Sequence, residues 1–237
     1  MNKEKWSIVC DKIETAITLG HYPPGEKLPT EPELAAQFGV GRYSIRRAIA
    51  ELAKAGKVSV EQGRGTFVES GPLLEYAIGA RTRLRKNLLS QGVDLHGELL
   101  SAQIITAHPR IAQALNLDKD AQVIQSQRIT FADGVPLAFG TSHHCAKRFV
   151  DFVARRDVLG SVTETYKSYG IDDYLRAETT MHARLARAEE AKTLKLHPQT
   201  AVMVVRAKDQ LLDGTPISFS EVIWAASRVK FTMTNED

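Results

Sequence analysis

The sequence lacks nearly every mark of a secreted, membrane-bound or catalytic chain. Only two cysteines occur, Cys10 and Cys145. They are far apart and have no other ligand nearby, so they read as reduced thiols, which excludes a disulfide scaffold and a cysteine-built metal site. No apolar run approaches the roughly eighteen residues of a spanning helix. The opening stretch MNKEKWSIVCDKIE is charged and helix-patterned, so a cytoplasmic protein without export is expected. The GxGxxG, Walker lysine, GxSxG and HExxH patterns are all missing, and with them the signatures of common nucleotide, acyl-transfer and zinc-hydrolase chemistry. His143 and His144 are adjacent on a strand-like stretch and point to opposite faces, which disfavours a shared metal. His96, His108, His182 and His197 are scattered. No metal, cofactor or catalytic residue is therefore expected. What remains is an ordinary globular composition, 43% hydrophobic and 25% charged over 237 residues, with room for one large domain or two modest ones. The net charge of +3 permits a nucleic-acid partner but does not argue for one.

Trp6, Val9, Cys10, Ile13 and Ile17 recur at helical spacing and predict a first amphipathic helix that stops at Gly20. HYPPGEKLP follows, a connector too rich in Pro and Gly to be helical. Thr30-Glu31-Pro32-Glu33 then forms a capping-box pattern, with Pro32 tolerated because first-turn amides have no intrahelical partner. Leu34, Ala35 and Phe38 give that helix a short apolar face, and Gly39 ends it. A third helix begins at Arg42, its core stripe being Ile45, Ala48, Ile49, Leu52 and Ala53. Two helices joined by a short Gly-containing turn form a helix-turn-helix, whose second helix enters the major groove. Because the stripe faces inward, Arg42, Tyr43, Ser44, Arg46 and Arg47 face out, where Arg can grip guanine O6 and N7. Lys57-Val58-Ser59-Val60 and Thr66-Phe67-Val68 alternate around Glu61-Gln62-Gly63-Arg64-Gly65, a hairpin placed as a wing with Arg64 at its tip. Such an Arg suits a narrow minor groove.

The stretch LPTEPELAAQFGVGRYSIRRAIAELAKAGKVSVEQGRGTFV resembles the signature of the GntR family of bacterial regulators almost end to end. That resemblance implies base and phosphate contacts from Arg42, Tyr43, Ser44 and Arg46, and wing contacts from Gln62 and Gly63. Together with Thr30, Arg47, Arg64 and Gly65, these make up the expected DNA-facing set. Two departures stand out. Pro32 occupies the place of an Arg that touches DNA in the family, and Gly41 replaces a hydroxyl cap ahead of the recognition helix. Residues 1–70 hold ten basic and nine acidic side chains, so DNA affinity must come from placement rather than bulk charge.

Residues 71–75 read as a linker and 76–237 as a second domain. YAIGARTRLRKNLLSQG predicts a helix ending before Gly92, with Ala80, Leu84 and Leu88 inward. Strands are expected at 99–107, 122–131, 135–144, 174–184, 201–212, 215–225 and 229–233. Asp133-Gly134 and Asp213-Gly214 carry the tight-hairpin signal. Ala112, Leu115, Leu117 and Val123 recur as Ala191, Leu194, Leu196 and Val202, each 79 residues later by subtraction, and the two Asp-Gly pairs lie 80 apart. Each copy is a short helix, a strand, a turn and a strand, which predicts a mostly antiparallel sheet flanked by helices with pseudo-twofold symmetry. The fold class is thus α+β, a winged helix-turn-helix followed by this sheet.

The second half resembles the effector domain (UTRA) of the HutC branch of the GntR family, which has a chorismate-lyase-like fold and senses small molecules. Carried over by position, the resemblance implies a ligand pocket from Arg85, Arg128, Thr130, Ser161, Thr163, Ser218 and Trp224. Gly140 and Ser218 stand where amino-sugar-sensing relatives place two carboxylates, which argues against an amino-sugar phosphate. RTRLRKNLLSQG and VKFTM look most like regulators of phosphonate utilisation. In RTRLRK itself, Arg81, Arg83 and Lys86 equally suit a solvated helix face. The expectation is a homodimeric repressor of a palindromic double-stranded operator, modulated by a small anionic effector such as a phosphonate or phosphate ester. The alternatives are a second domain that only dimerises, or a lyase-like enzyme.

Overall fold

The computed structural model describes residues 4–18, 21–61, 63–69, 73–196 and 200–233. It divides into two compact units, residues 1–73 with 186–200, and residues 74–185 with 201–237.

The first unit holds α1 (Lys5–Thr18), α2 (Glu31–Phe38), α3 (Arg42–Lys54) and a hairpin of β1 (Val58–Glu61) and β2 (Gly65–Val68). Val9 and Ile13 of α1 meet Leu34 of α2, the Ile45–Ala48–Ile49–Leu52 stripe of α3, and Val58 and Val68 of the hairpin in one buried cluster. The Pro/Gly connector is not a free loop. Its Leu28 N–H donates to Thr66 O, and Val68 N–H returns to Glu26 O, so it lies along the outer edge of β2. The capping box forms at α2, with the Glu33 carboxylate accepting from both the Thr30 N–H and its hydroxyl at 2.7 Å. These bonds stabilise the anion and hold the Glu33 carboxyl below the usual carboxylate range. Gly39 takes the left-handed conformation (φ 63°) and lets α3 start three residues later. Gly41, as expected, gives α3 no side-chain cap. Gly20, Ser70, and Gly71 and Pro72 of the expected linker lie outside the described residues.

In chain order the remainder comprises β3 (Leu74–Ile78), α4 (Leu84–Leu89), β4 (Leu95–Thr106), α5 (Pro109–Leu115), β5 (Gln122–Ala132), β6 (Val135–Cys145), α6 (Phe152–Leu159) and α7 (Val162–Lys167). It continues with β7 (Leu175–Leu185), α8 (Ala188–Leu194), which falls in the segment grouped with the first unit, β8 (Ala201–Gln210), β9 (Pro216–Ala225) and β10 (Val229–Met233). Six strands form one sheet in the order β4-β5-β6-β9-β8-β7, with every pairing antiparallel. Each half reads strand, helix, strand, strand, and the order is palindromic about the β6–β9 pair, as the internal repeat predicts. The copies agree in detail. Asn116 and Lys195 both close their helices in the left-handed conformation, and Leu117 N–H to Ala112 O repeats as Leu196 N–H to Ala191 O.

Two expectations are corrected. The segment 76–91 is not one helix: residues 74–78 form β3, which pairs in parallel with β10, and only Leu84–Leu89 is helical. Gly79 breaks the strand there, and the Thr82 hydroxyl donates to Gly79 O while accepting from Gly79 N–H, which fixes a turn. Tertiary burial decides the strand, because Tyr76 is driven against Trp224 with ring centroids 4.8 Å apart. Leu88 is buried as expected, whereas Ala80 is exposed. The two Asp-Gly turns also differ. Asp133 and Gly134 both have positive φ in a two-residue hairpin. Asp213-Gly214 sits in a longer loop closed by Leu211 N–H to Thr215 O, in which only Gly214 has positive φ.

Candidate DNA-binding surface and effector cavity

On the first unit, Arg42, Tyr43, Arg46 and Arg47 project from the solvent side of α3, Ser44 is half-buried, and Tyr43 is 75% exposed. The basic side chains are not idle. Arg46 Nε donates to Glu31 of α2 at 2.7 Å. Arg47 pairs with Glu4 at 3.2 Å and lies over the Trp6 ring at 4.4 Å. At the wing, Arg64 pairs with Glu61 and caps the Phe67 ring. Gly63 (φ 76°) and Gly65 (φ 128°) flank it in conformations that suit glycine. A Cβ on Gly65 would also lie 2.3 Å from Lys27 Cε. Gln62 lies outside the described residues. Thr30 is exposed at the N-cap of α2, and Pro32 is exposed beside it. The arrangement presents one helix and one hairpin tip, both cationic and both in water.

The second unit encloses a cavity of about 210 Å³ between the sheet and α4, α6, α7 and β3. Of the expected pocket residues, Arg128, Thr130, Ser218 and Trp224 line it. Arg85, Ser161 and Thr163 do not. Arg85 donates to Leu95 O at 3.3 Å, Ser161 caps α7 by accepting from Glu164 N–H, and Thr163 shares a hydrogen bond with Tyr174 Oη at 3.1 Å. Ser161 is spent as the N-cap of α7, and Thr163 in its first turn is tied to Tyr174, which itself lines the cavity. Arg81 and Arg83, which equally suited a solvated face, both pair with Asp173, and Arg83 packs 3.4 Å over Tyr174.

The cavity's most telling residue escaped the sequence reading. Arg156 lies four residues after the buried Phe152 on α6, the same face of the helix, and so points inward. Burial lowers its pKa to about 10, and repulsion from Arg128 and Arg85 adds to the shift. Arg128 has one carboxylate partner, Asp157 at 2.5 Å, and its Nε is buried without a hydrogen bond. Two lining arginines, with Arg85 near enough to repel one of them, thus share one neighbouring carboxylate, an arrangement that suits an anion.

Elsewhere in the cavity, Arg176 pairs with Asp209 at 2.6 Å, and Ser218 Oγ donates to the other Asp209 oxygen at 3.1 Å. Burial raises the Tyr76 pKa to about 12. His144 shares a bond with Tyr166 Oη at 2.9 Å, and burial depresses its pKa to about 3, so it stays neutral. Gly140 has no room for a side chain, since a Cβ would meet Glu221 O at 2.7 Å. The only lining carboxylate among the described residues is therefore Asp209. No group of three metal-ligating side chains occurs among the described residues, and no helix of theirs is long and apolar enough to cross a membrane.

A winged helix-turn-helix joined to a ligand-sized cavity in an antiparallel sheet defines the class of one-component transcriptional regulators. Comparison with known proteins narrows it. Residues 7–68 match the family model "Bacterial regulatory proteins, gntR family", and residues 90–230 match the UTRA domain. The chain is 38% identical to the HTH-type transcriptional regulator RB1450 of Rhizobium meliloti (strain 1021), covering 95% of this chain and 92% of that one. It is 25% identical to the transcriptional repressor NagR of Bacillus subtilis (strain 168), covering 94% and 91%. The crystal structure of PhnF from Mycobacterium smegmatis superimposes with a TM-score of 0.64 at 26% identity, covering 96% of this chain and 99% of that one. The chain belongs to the GntR family, in the HutC-type branch that carries a UTRA effector domain. It is a DNA-binding transcriptional regulator, not an enzyme.

Proposed function

We propose that this regulator is a homodimeric repressor whose grip on a palindromic operator is loosened by a small anionic effector, of the phosphonate or phosphate-ester class, bound in the cavity of the second unit. The observation that carries the reading is the convergence of Arg156 and Arg128 at one end of that cavity, with Arg85 close enough behind them to repel Arg156. A buried guanidinium with too few counter-charges is costly until an anion arrives, and a phosphonate or phosphate head offers several acceptors to bidentate arginine donors. The similarity to NagR, a repressor, supports the direction of control. On the DNA side the reading assigns base and phosphate contacts to Arg42, Tyr43, Ser44, Arg46 and Arg47. Thr30 joins them from α2, and Gln62, Gly63, Arg64 and Gly65 from the wing. A dimer would read two half-sites about one helical turn, or a multiple of it, apart. The ligand acts only through its differential affinity for the two arrangements of the dimer.

The test uses a duplex selected by the protein from a random library. Fluorescence anisotropy of that complex is followed while small phosphonates and phosphate esters are added. Release by at least one of them, with the compound unaltered, is the expected result. A complex indifferent to all of them would sink the effector assignment, and a chain that is monomeric on the duplex would sink the dimer.

A further inference from the structure

The cavity's far end is chemically unlike the arginine end. Strand register sets how far apart the ends are. Arg128 on β5 lies in one row with Gly140, Val222 and Val205 across β6, β9 and β8. Asp209 lies three strands away on β8 and four residues along from Val205. At ordinary sheet spacings the two backbones are about 19 Å apart. Between them runs a row of hydroxyls on three adjacent strands. Ser126, Ser142 and Ser220 are cross-strand neighbours that all line the cavity, and Ser126 and Ser142 share a hydrogen bond at 3.0 Å. The row leads to Asp209, whose side chain is 13% exposed and faces the cavity between Arg176 and Ser218. Asp209 is the lining carboxylate at that depth, and a carboxylate has no use for a second anion.

We propose that the effector is bifunctional: an anionic head for Arg128 and Arg156, joined through a short chain to a primary ammonium or hydroxyl that donates to Asp209. This rests on the head assignment made above and adds the tail. Charge supports it. Arg128, Arg156 and Arg176 against Asp209 and Asp157 leave one positive charge, by counting the side chains named. A doubly ionised phosphonate carrying one ammonium neutralises that charge exactly once, with each end of the ligand meeting its opposite.

The experiment measures binding of the full-length protein, by calorimetry, to ω-aminoalkylphosphonates and ω-hydroxyalkylphosphonates of two to five carbons. Alkylphosphonates of the same lengths serve as references. At the best length, a donor-bearing compound is expected to bind at least tenfold more tightly than its alkyl counterpart. Equal affinity at every length would overturn the tail while leaving the head assignment standing. No binding by any compound, at millimolar concentration, would overturn both. In Asp209→Asn the preference for the donor is expected to fall below threefold while alkylphosphonate binding persists. An undiminished preference in a folded variant would assign the tail elsewhere. The wild-type series stands by itself if Asp209→Asn fails to fold.

Discussion

Arginine does opposite work in the two units. On α3 and the wing, Arg46, Arg47 and Arg64 stand in water, each held loosely by an exposed carboxylate. Such pairs contribute little, and phosphate or base edges displace them at small cost. In the cavity, Arg156 and Arg128 are withdrawn from water and share one nearby carboxylate. On the proposed reading their charge is a cost to the second unit that an anionic ligand would relieve. A surface arginine is a reader available at all times, whereas a buried and under-neutralised one waits for its partner.

Mutations test this contrast. The largest effect is expected for Arg46→Ala, which should weaken binding to a selected duplex by about 10- to 100-fold if it makes a bidentate guanine contact; titration by anisotropy checks it, and unchanged affinity would remove Arg46 from the interface. Its stability should move by less than about 0.5 kcal/mol, as for an ordinary surface site. Arg156→Leu should do the reverse and stabilise the ligand-free protein by about 1–2 kcal/mol in denaturant melts, because it replaces a largely buried, under-neutralised cation by an apolar group. A destabilised Arg156→Leu would mean the guanidinium is already satisfied.

His144 offers a pH test confined to the second unit. Its folded pKa, about 3, lies below the unfolded value near 6.5, so the unfolded chain takes up a proton first as pH falls. Its influence on stability is flat above about pH 6.5. Below that, stability declines by up to about 1.4 kcal/mol per pH unit toward pH 3. His144→Phe should flatten that slope between pH 6.5 and 5 relative to wild type, and identical slopes would show that His144 does not set it. The smallest expected effect belongs to Gly65→Ala, about 1 kcal/mol from forcing a side chain into a left-handed conformation against Lys27. Thermal melts would register it, and a neutral change would mean the wing backbone relaxes.

The two units also differed in how legible they were. The winged helix could be read along the chain because its parts are consecutive: a capping box, an apolar stripe at helical spacing, Gly39 at the turn, and a Gly-flanked tip. The antiparallel sheet and its internal repeat were legible for the same reason, since the repeat is spelled by local helix caps and Asp-Gly turns. The cavity was not. Arg156 and Arg128 lie on different elements, and Arg176 and Asp209 are brought together only by the β7–β8 register. Of the residues matched singly, Arg128, Thr130, Ser218 and Trp224 line the cavity, and Asp209, which also lines it, was not among them. Ser161 and Thr163 looked like ligand hydroxyls, yet Ser161 caps α7 and Thr163 is bonded to Tyr174, a partner eleven residues away. β3 was mistaken for helix because its pairing partner, β10, lies some 150 residues further on.

The account's central claim is that DNA reading and anion sensing are carried by separate sets of arginines. One experiment addresses it directly: anisotropy titration of Arg156→Leu on a duplex selected by the wild-type protein, followed by addition of a phosphonate that releases the wild type. The account predicts operator affinity within twofold of wild type and no release. Release at wild-type concentrations, or an operator affinity as poor as that of Arg46→Ala, would contradict it.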